Sequence, residues 1–357
     1  MPNSLLFGPF VKKEMIKIKN KRIVFILLGC LTFFLILVSC TMGAAQLGVK
    51  KVFMVIIDQI PLINKWIPEG SYDSAEYMIV CKLRLPRIVL SLLAGAALAI
   101  CGGAYQSVFR NPLTDPYILG ISSGASLGAA IAILLGWESY LLGIGSLALA
   151  TALLTVFLIF RISSIGNRLH TSTLLLTGVC FNFLISAVIS FILVLRKDKM
   201  DKIIFWTMGS LSSVSWIDVL IVLPFIVIGI LVVLYYSKDL NILLLGNETA
   251  QSLGVQVERV KKILLFFTTL MVAFVVSTCG VIGFVGLVVP HIVRLVTGSD
   301  NRTVIPFSIF VGAIFMLFSD TFARTVLQPA ELPVGSITAL IGAPFFIYLL
   351  YQAKQRM

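Results

Sequence analysis

Apolar residues run along this chain in long blocks separated by short polar or Gly/Pro-marked gaps. A helix needs roughly 20 apolar residues to cross about 30 Å of hydrocarbon. Cutting the chain at each gap predicts ten spans: Ile23 to Ala45, Pro86 to Val108, Tyr117 to Gly136, Tyr140 to Phe160, Thr171 to Leu195, Trp216 to Tyr236, Ile263 to Cys279, Val281 to Val296, Val304 to Phe322 and Gly335 to Tyr351. The eighth carries Pro290, His291 and Arg294 in its second half and is the weakest of the ten. Three stretches fall outside them: a basic arm 1–22, a long outer loop 46–85 and a polar loop 237–262.

Composition fixes the solvent. Of 357 residues, 59% are hydrophobic and 12% charged, and mean hydropathy is +1.03. A water-soluble fold would expose much of that apolar excess as large patches. Soluble-enzyme and disordered classes are thereby excluded. The net charge of +12 is not gathered into a polar domain that could track a nucleic-acid backbone, so no nucleic-acid partner is expected. Sorted over the ten spans with the N-terminus inside, the charge divides into +11 on the cytoplasmic face and +1 outside, summing to the +12 of the sequence. Both termini are therefore expected in the cytoplasm, the side where Lys and Arg are retained.

The first span imitates another signal. A basic stretch, an apolar run and Leu37-Val38-Ser39-Cys40 resemble a lipoprotein signal, but the run continues to Ala45, and an uncleaved first span is the reading adopted. The six cysteines sit in or beside apolar surroundings without CxxC spacing, and His170 and His291 stand far apart. No metal site is expected, and the cysteines read as buried thiols.

Ion-coupled transporters keep Asp, Glu or His deep in their spans. Here Asp218 and Asp320 lie near outer span ends, and the other span interiors hold no carboxylate. The chain also lacks a GxxxxGK[ST] phosphate loop, so nucleotide hydrolysis, if used, belongs to another subunit. Gly120, Gly124 and Gly128, with Ser122, Ser123, Ala125 and Ser126 between them, form a small-residue face for close helix packing, as does Gly95 among alanines. Gly280, Gly283, Gly286 and Pro290 are placed to break a helix.

In loop 237–262, Asn247 is suited to cap a short helix, Glu248 to meet its positive end and Gly254 to close it in the left-handed conformation. Ala250 and Leu253, at i and i+3, would share one face able to dock into a partner's groove.

Six blocks in order carry a family resemblance: Arg84-Leu85-Pro86-Arg87; Phe109-Arg110-Asn111-Pro112-Leu113-Thr114-Asp115-Pro116; Leu119-Gly120-Ile121-Ser122-Ser123-Gly124-Ala125; Leu243 to Val255; Gly283-Phe284-Val285-Gly286-Leu287-Val288-Val289-Pro290-His291-Ile292-Val293-Arg294; and Glu331-Leu332-Pro333-Val334-Gly335 with Gly342-Ala343-Pro344-Phe345. From Lys82 onward the chain resembles the FecCD/BtuC-type permeases, membrane subunits of bacterial ATP-binding-cassette (ABC) importers for iron-siderophore complexes, haem and cobalamin. The resemblance implies an all-α polytopic fold of ten transmembrane helices in the plasma membrane, a type II ABC importer permease with no catalysis of its own. It implies no cofactor on this chain, with ATP and Mg on the partner ATPase.

The implied partners are a second permease subunit, identical or not, two cytoplasmic ATPase subunits and an extracytoplasmic substrate-binding protein, within the lipid bilayer. The cargo is expected to be an iron chelate, siderophore or haem. Cobalamin or another metal chelate is the alternative, with an ion-coupled secondary transporter as the reading from another class.

Residue roles follow the matching blocks. Asn247, Glu248, Ala250, Leu253, Gly254 and Val255 resemble the coupling helix that fits the ATPase. Arg84, Arg87 and Arg324 match positions that receive acidic residues of the binding protein, a contact suited to the forked guanidinium. Asn111, Leu113, Thr171 and Ser172 match an inner gate. Thr177, Gly178, Asn182 and Ser186, spaced along the fifth span, are expected to line a pathway between two subunits. The front quarter departs from the family pattern: loop 46–81, with Trp66, Glu69, Tyr72, Asp73, Glu76 and Tyr77, is longer and reads as a solvated connector.

Overall fold

The computed structural model describes residues 20–43, 45, 47–59, 71–137, 140, 143–165, 168–169 and 171–354. The basic arm up to residue 19, together with Trp66, Glu69 and His170, lies outside the described residues.

Helices account for nearly all of the regular structure. They are α1 (Lys21–Thr41), α2 (Val49–Asp58), α3 (Ser74–Val108), α4 (Ile121–Leu134), α5 (Gly143–Ser163), α6 (Thr171–Leu195), α7 (Met200–Thr207), α8 (Trp216–Tyr235), α9 (Ser237–Leu243), α10 (Asn247–Ser252), α11 (Val257–Cys279), α12 (Val285–Thr297), α13 (Asn301–Ala323) and α14 (Val334–Lys354). A two-residue antiparallel ribbon, Ser164–Ile165 with Arg168–Leu169, links α5 and α6.

Seven helices, α1, α3, α5, α6, α8, α11 and α13, are long and apolar enough to cross a membrane. Two shorter apolar helices, α4 and α12, and the apolar stretch Val334–Leu349 of α14 coincide with the remaining predicted spans. The late starts of α4 and α12 have local causes. Before α4, Asp115 accepts the Tyr117 N–H at 2.8 Å and opens a 3-10 turn, Pro116–Leu119, that ends on Gly120 in the left-handed region. The helix therefore begins later than apolarity alone predicts. Before α12, Gly280 and Phe284 both have positive φ, so the chain runs non-helically from 280 to 284 as the glycine spacing predicts.

The outer loop is corrected in part. Residues 46–81 read as a solvated connector, yet they hold α2 and the first turns of α3. Lys51 on α2 donates to Glu76 on α3 at 2.6 Å, and Tyr72 donates to Asp58. Over Met78–Arg84, α3 loosens into π-helical geometry directly before Pro86. Proline lacks the N–H for the i−4 carbonyl and its ring crowds that carbonyl, which accounts for the loosening.

The packing centres on α3. Of its apolar window 83% is buried, against 11% for α1 and for α6, and α11, α12 and α13 surround it. Glycine decides how closely they approach. A Cβ at Gly95 on α3 would stand 2.2 Å from the Gly312 carbonyl oxygen of α13, and one at Gly102 would stand 1.8 Å from that of Gly286 on α12. Likewise Gly128 on α4 abuts the Leu147 carbonyl of α5. These are the close backbone contacts that small residues permit between membrane helices.

Candidate functional site

A groove of about 430 Å³ lies between α4 and α6, lined by Ser122, Ser123, Ser126, Asn182, Ser186, Ile189, Ser190, Thr207 and Val281. Ser123 Oγ donates to Asn182 Oδ1 at 2.6 Å, and Asn182 lines the groove with its amide hydrogens not used in that bond. The Ser126 and Ser190 hydroxyls donate to the carbonyls of Ser122 and Ser186 at 2.8 and 2.9 Å. Their protons are thus committed to their own helices, and their oxygen lone pairs face outward. The groove lining is uncharged.

Of the four pathway residues read from spacing, Asn182 and Ser186 line this groove. Gly178 does not: it is buried where α6 crosses the 3-10 turn, and a Cβ there would meet the Ile118 carbonyl at 2.2 Å. Thr177 is half-buried beside it. Ser122, Ser123 and Ser126 are expected on one packing face with the α4 glycines, but the two sets separate. The glycines pack on Thr155, Ala152 and Leu147 of α5, and the serines line the groove. Hydroxyls four apart, Ser122 with Ser126 and Ser186 with Ser190, were the available signal.

At the end of the bundle that carries the loop 237–262, the turn after α3 holds Asn111 and Leu113, both exposed. Asn111 Oδ1 accepts the Leu113 N–H at 2.9 Å, an Asx turn that fixes the loop. Thr171, half-buried, and Ser172, exposed, start α6. Burial pushes the Asp115 carboxyl up to about 6, partly offset by its bond from Tyr117 N–H. Arg110 adopts φ 52, and its guanidinium lies beside Gly246 of the loop that precedes α10.

The short helix α10 is where the sequence placed it and closes on Gly254 as expected, but its N-cap and the placement of Ala250 and Leu253 differ. Its N-cap is Gly246, at φ 116, and Asn247 is the first helical residue. Its close is a Schellman motif: Val255 N–H donates to Ala250 O and Gly254 N–H to Gln251 O, both at 2.9 Å, with Gly254 at φ +86. Ala250 and Leu253 do not share a face. Ala250 and Val255 are buried against the bundle, whereas Leu253 is 59% exposed, because the closing turn carries it away from the helix face that packs inward. Glu248 is exposed in the first turn, where the helix dipole favours it.

A polar chain ties this loop to the bundle. Asn241 Nδ2 donates to Asp300 Oδ1 at 2.7 Å, and its Oδ1 accepts the Asn301 N–H at 2.8 Å. Asn301 Nδ2 reaches Ser107 Oγ at 3.1 Å on α3. One residue away, Gln106 accepts from Arg294 Nη1 of α12 and donates to the Gly286 carbonyl at 3.3 Å. Arg302 and Asn241 hold the Asp300 carboxyl down at about 2, against partial burial. None of Gln106, Asn241 and Asn301 was singled out by the sequence reading, because an isolated amide in an apolar run has no periodic signature.

At the opposite end, Arg84, Arg87 and Arg324 come together, but not as open docking groups. They are 6, 8 and 4% exposed. Arg84 donates to the Cys40 carbonyl at 2.5 Å and to that of Ala45. Arg324 donates to the Ser39 and Met42 carbonyls at 2.6 and 3.0 Å. Arg87 pairs with Asp320 at 2.9 Å and with Glu331 at 2.9 Å. These are the arginines expected to meet a binding protein; in the structure each is turned inward, because the ends of α1 and α13 present carbonyls and a buried carboxylate to them.

Among the described residues no cluster of three His, Cys, Asp or Glu side chains could hold a metal.

Comparison with known proteins accords with this arrangement. The FecCD transport family matches residues 31–352. The cobalamin import system permease protein BtuC of Halobacterium salinarum is 39% identical, over 92% of this chain and 95% of its own length. The hemin transport system permease protein HmuU of Yersinia pestis is 35% identical, over 93% and 97%. The iron(3+)-hydroxamate import system permease protein FhuG of Bacillus subtilis is 37% identical, over 90% and 96%. A solved structure described as an inward-facing conformation of a candidate metal-chelate type ABC transporter superposes with a TM-score of 0.79 at 30% identity, covering 92% of this chain and 99% of that one. The chain is accordingly a polytopic plasma-membrane permease of the ABC importer type, and it belongs to the FecCD transport family.

Proposed function

We propose that this chain is one half of a permease pair that passes a bulky iron chelate, siderophore or haem, inward, powered by ATP and Mg on two separate ATPase subunits and supplied by an extracytoplasmic binding protein. The supporting observation is the uncharged, hydroxyl-lined groove between α4 and α6. Neutral hydroxyls and an amide give a passing chelate contacts strong enough to enter and weak enough to leave. A carboxylate in this lining would instead suggest ion coupling.

In this reading all ten apolar helices span the membrane, with both termini cytoplasmic. The inner mouth is narrowed by Asn111, Leu113, Thr171 and Ser172, and α10 meets the ATPase through Leu253 and its exposed neighbours. The binding protein meets the opposite face, whose shape the Arg84, Arg87 and Arg324 cluster fixes from beneath. Cobalamin is the second reading, favoured by the 39% identity to a cobalamin permease.

Reconstitution of the permease with its ATPase and binding protein in proteoliposomes tests both. ATP-dependent uptake of iron-loaded siderophore or haem is expected. Uptake of cobalamin alone assigns the second reading, and gradient-driven uptake without the ATPase overturns the importer mechanism.

A further inference from the structure

A second cavity, of about 350 Å³, opens among the outer ends of α5, α8 and α11. It is separate from the transport groove: α7 stands between them, with Trp206 lining this cavity and the next residue, Thr207, lining the groove. Tyr140, Trp206 and Phe274 supply aromatic walls, Leu149 an aliphatic one, and Asp218 is the sole charged residue of the lining.

Three hydroxyls of the lining donate to carbonyls of their own helices. Ser277 Oγ donates to Phe274 O at 2.9 Å, Thr278 Oγ1 to Val275 O at 2.9 Å and Ser146 Oγ to Gly143 O at 3.2 Å. Asp218 is different. It receives the Ser215 N–H at 2.9 Å and the Ser215 hydroxyl at 2.7 Å, both on Oδ2, as part of the box that caps α8. Its Oδ1 is left as a charged acceptor with no Lys or Arg in the lining to neutralise it.

One carboxylate oxygen beside aromatic faces selects a cation with an apolar body. The carboxylate accepts ammonium hydrogens, and the ring faces attract the positive charge. An anion is repelled, and a metal ion would need more ligands than one carboxylate supplies. On the topology proposed above, the outer helix ends lie at the depth of lipid headgroups, where Trp and Tyr concentrate.

We infer that this cavity is a lipid-binding site that seats the ammonium headgroup of a phospholipid against Asp218, between Trp206 and Tyr140. The inference rests on the membrane topology of the proposed function but not on any cargo, and its test reads lipid binding without transport.

The purified permease, dispersed in mixed vesicles of phosphatidylethanolamine and phosphatidylglycerol and re-extracted, is assayed for retained lipid by native mass spectrometry. Retention of phosphatidylethanolamine over phosphatidylglycerol by about fivefold or more is expected from the combined ion-pair and cation–π contacts. Asp218→Asn keeps a capping oxygen for Ser215 and removes the charge; Ser146→Leu leaves the carboxylate and narrows the cavity. Each is expected to bring the two lipids to parity. Equal retention by the unaltered protein overturns the site, as does a preference that survives both substitutions. Displacement of the retained phospholipid by an equal concentration of free ethanolamine overturns the lipid as occupant in favour of a soluble amine.

Discussion

Arg87 shows how much of this protein rests on buried polar pairs. Its guanidinium bridges Asp320, which is fully buried, and Glu331, which reaches the surface. Removing one member of such a pair leaves a buried charge without its partner. Arg87→Gln is expected to cost about 3 kcal/mol, read as a lowered midpoint of thermal unfolding in detergent. An unchanged midpoint would return Arg87 to a purely docking role. Asp300 is a milder case, partly exposed, holding Arg302 and Asn241 with its carboxyl lowered from 3.8 to about 2. A depressed carboxyl stabilises fully above its unfolded value and loses that contribution as pH falls through its folded one. Asp300→Asn should therefore cost about 0.5–1 kcal/mol at neutral pH after solvent screening, with the gap from the unaltered protein closing between about pH 4 and pH 2. A gap independent of pH would show that the amide, not the charge, matters.

Among the elements, α10 and the α3–α13 contact carry opposite lessons. The short helix α10 was legible because its signals are local: Gly254 must take the left-handed position that closes a Schellman turn, and Glu248 suits the first turn. Which of its residues stand exposed was not legible. Two residues at i, i+3 share a face only while the helix continues, and this one ends at Ser252, so Leu253 swings outward while Ala250 stays buried. Leu253→Asp is expected to abolish co-purification of the ATPase while leaving the unfolding midpoint within about 0.5 kcal/mol of unaltered, as for other exposed positions. Unchanged co-purification would remove α10 as the docking element. Where α3 crosses α13, each glycine fills the space the other's Cβ would need. Gly312→Ala is expected to destabilise by about 1–3 kcal/mol through overpacking, whereas Gly48→Ala, with open space around it, should change little.

For the whole molecule, the decisive quantity is which end of each helix faces the cytoplasm. With the two exposed cysteines, Cys30 and Cys180, replaced by Ala, an impermeant maleimide applied from outside should label Lys197→Cys, just past the C-terminal end of α6, and spare Ser172→Cys, in its first turn. The reverse pattern would invert the topology. The sequence alone determined that lipid is the solvent, where the apolar helices fall, the family, and the absence of coupling carboxylates along the spans. These are properties of composition and of period along one chain, which burial in hydrocarbon dictates residue by residue. Only the tertiary structure decided that Arg84, Arg87 and Arg324 turn inward, that Gly178 packs while Asn182 and Ser186 line the groove, and that Asn241 and Asn301 join the loop 237–262 to the bundle. A polar side chain in an apolar helix must find a partner, but the partner lies on another helix up to 285 positions away. Which helix that is depends on how the small-residue faces let the backbones meet.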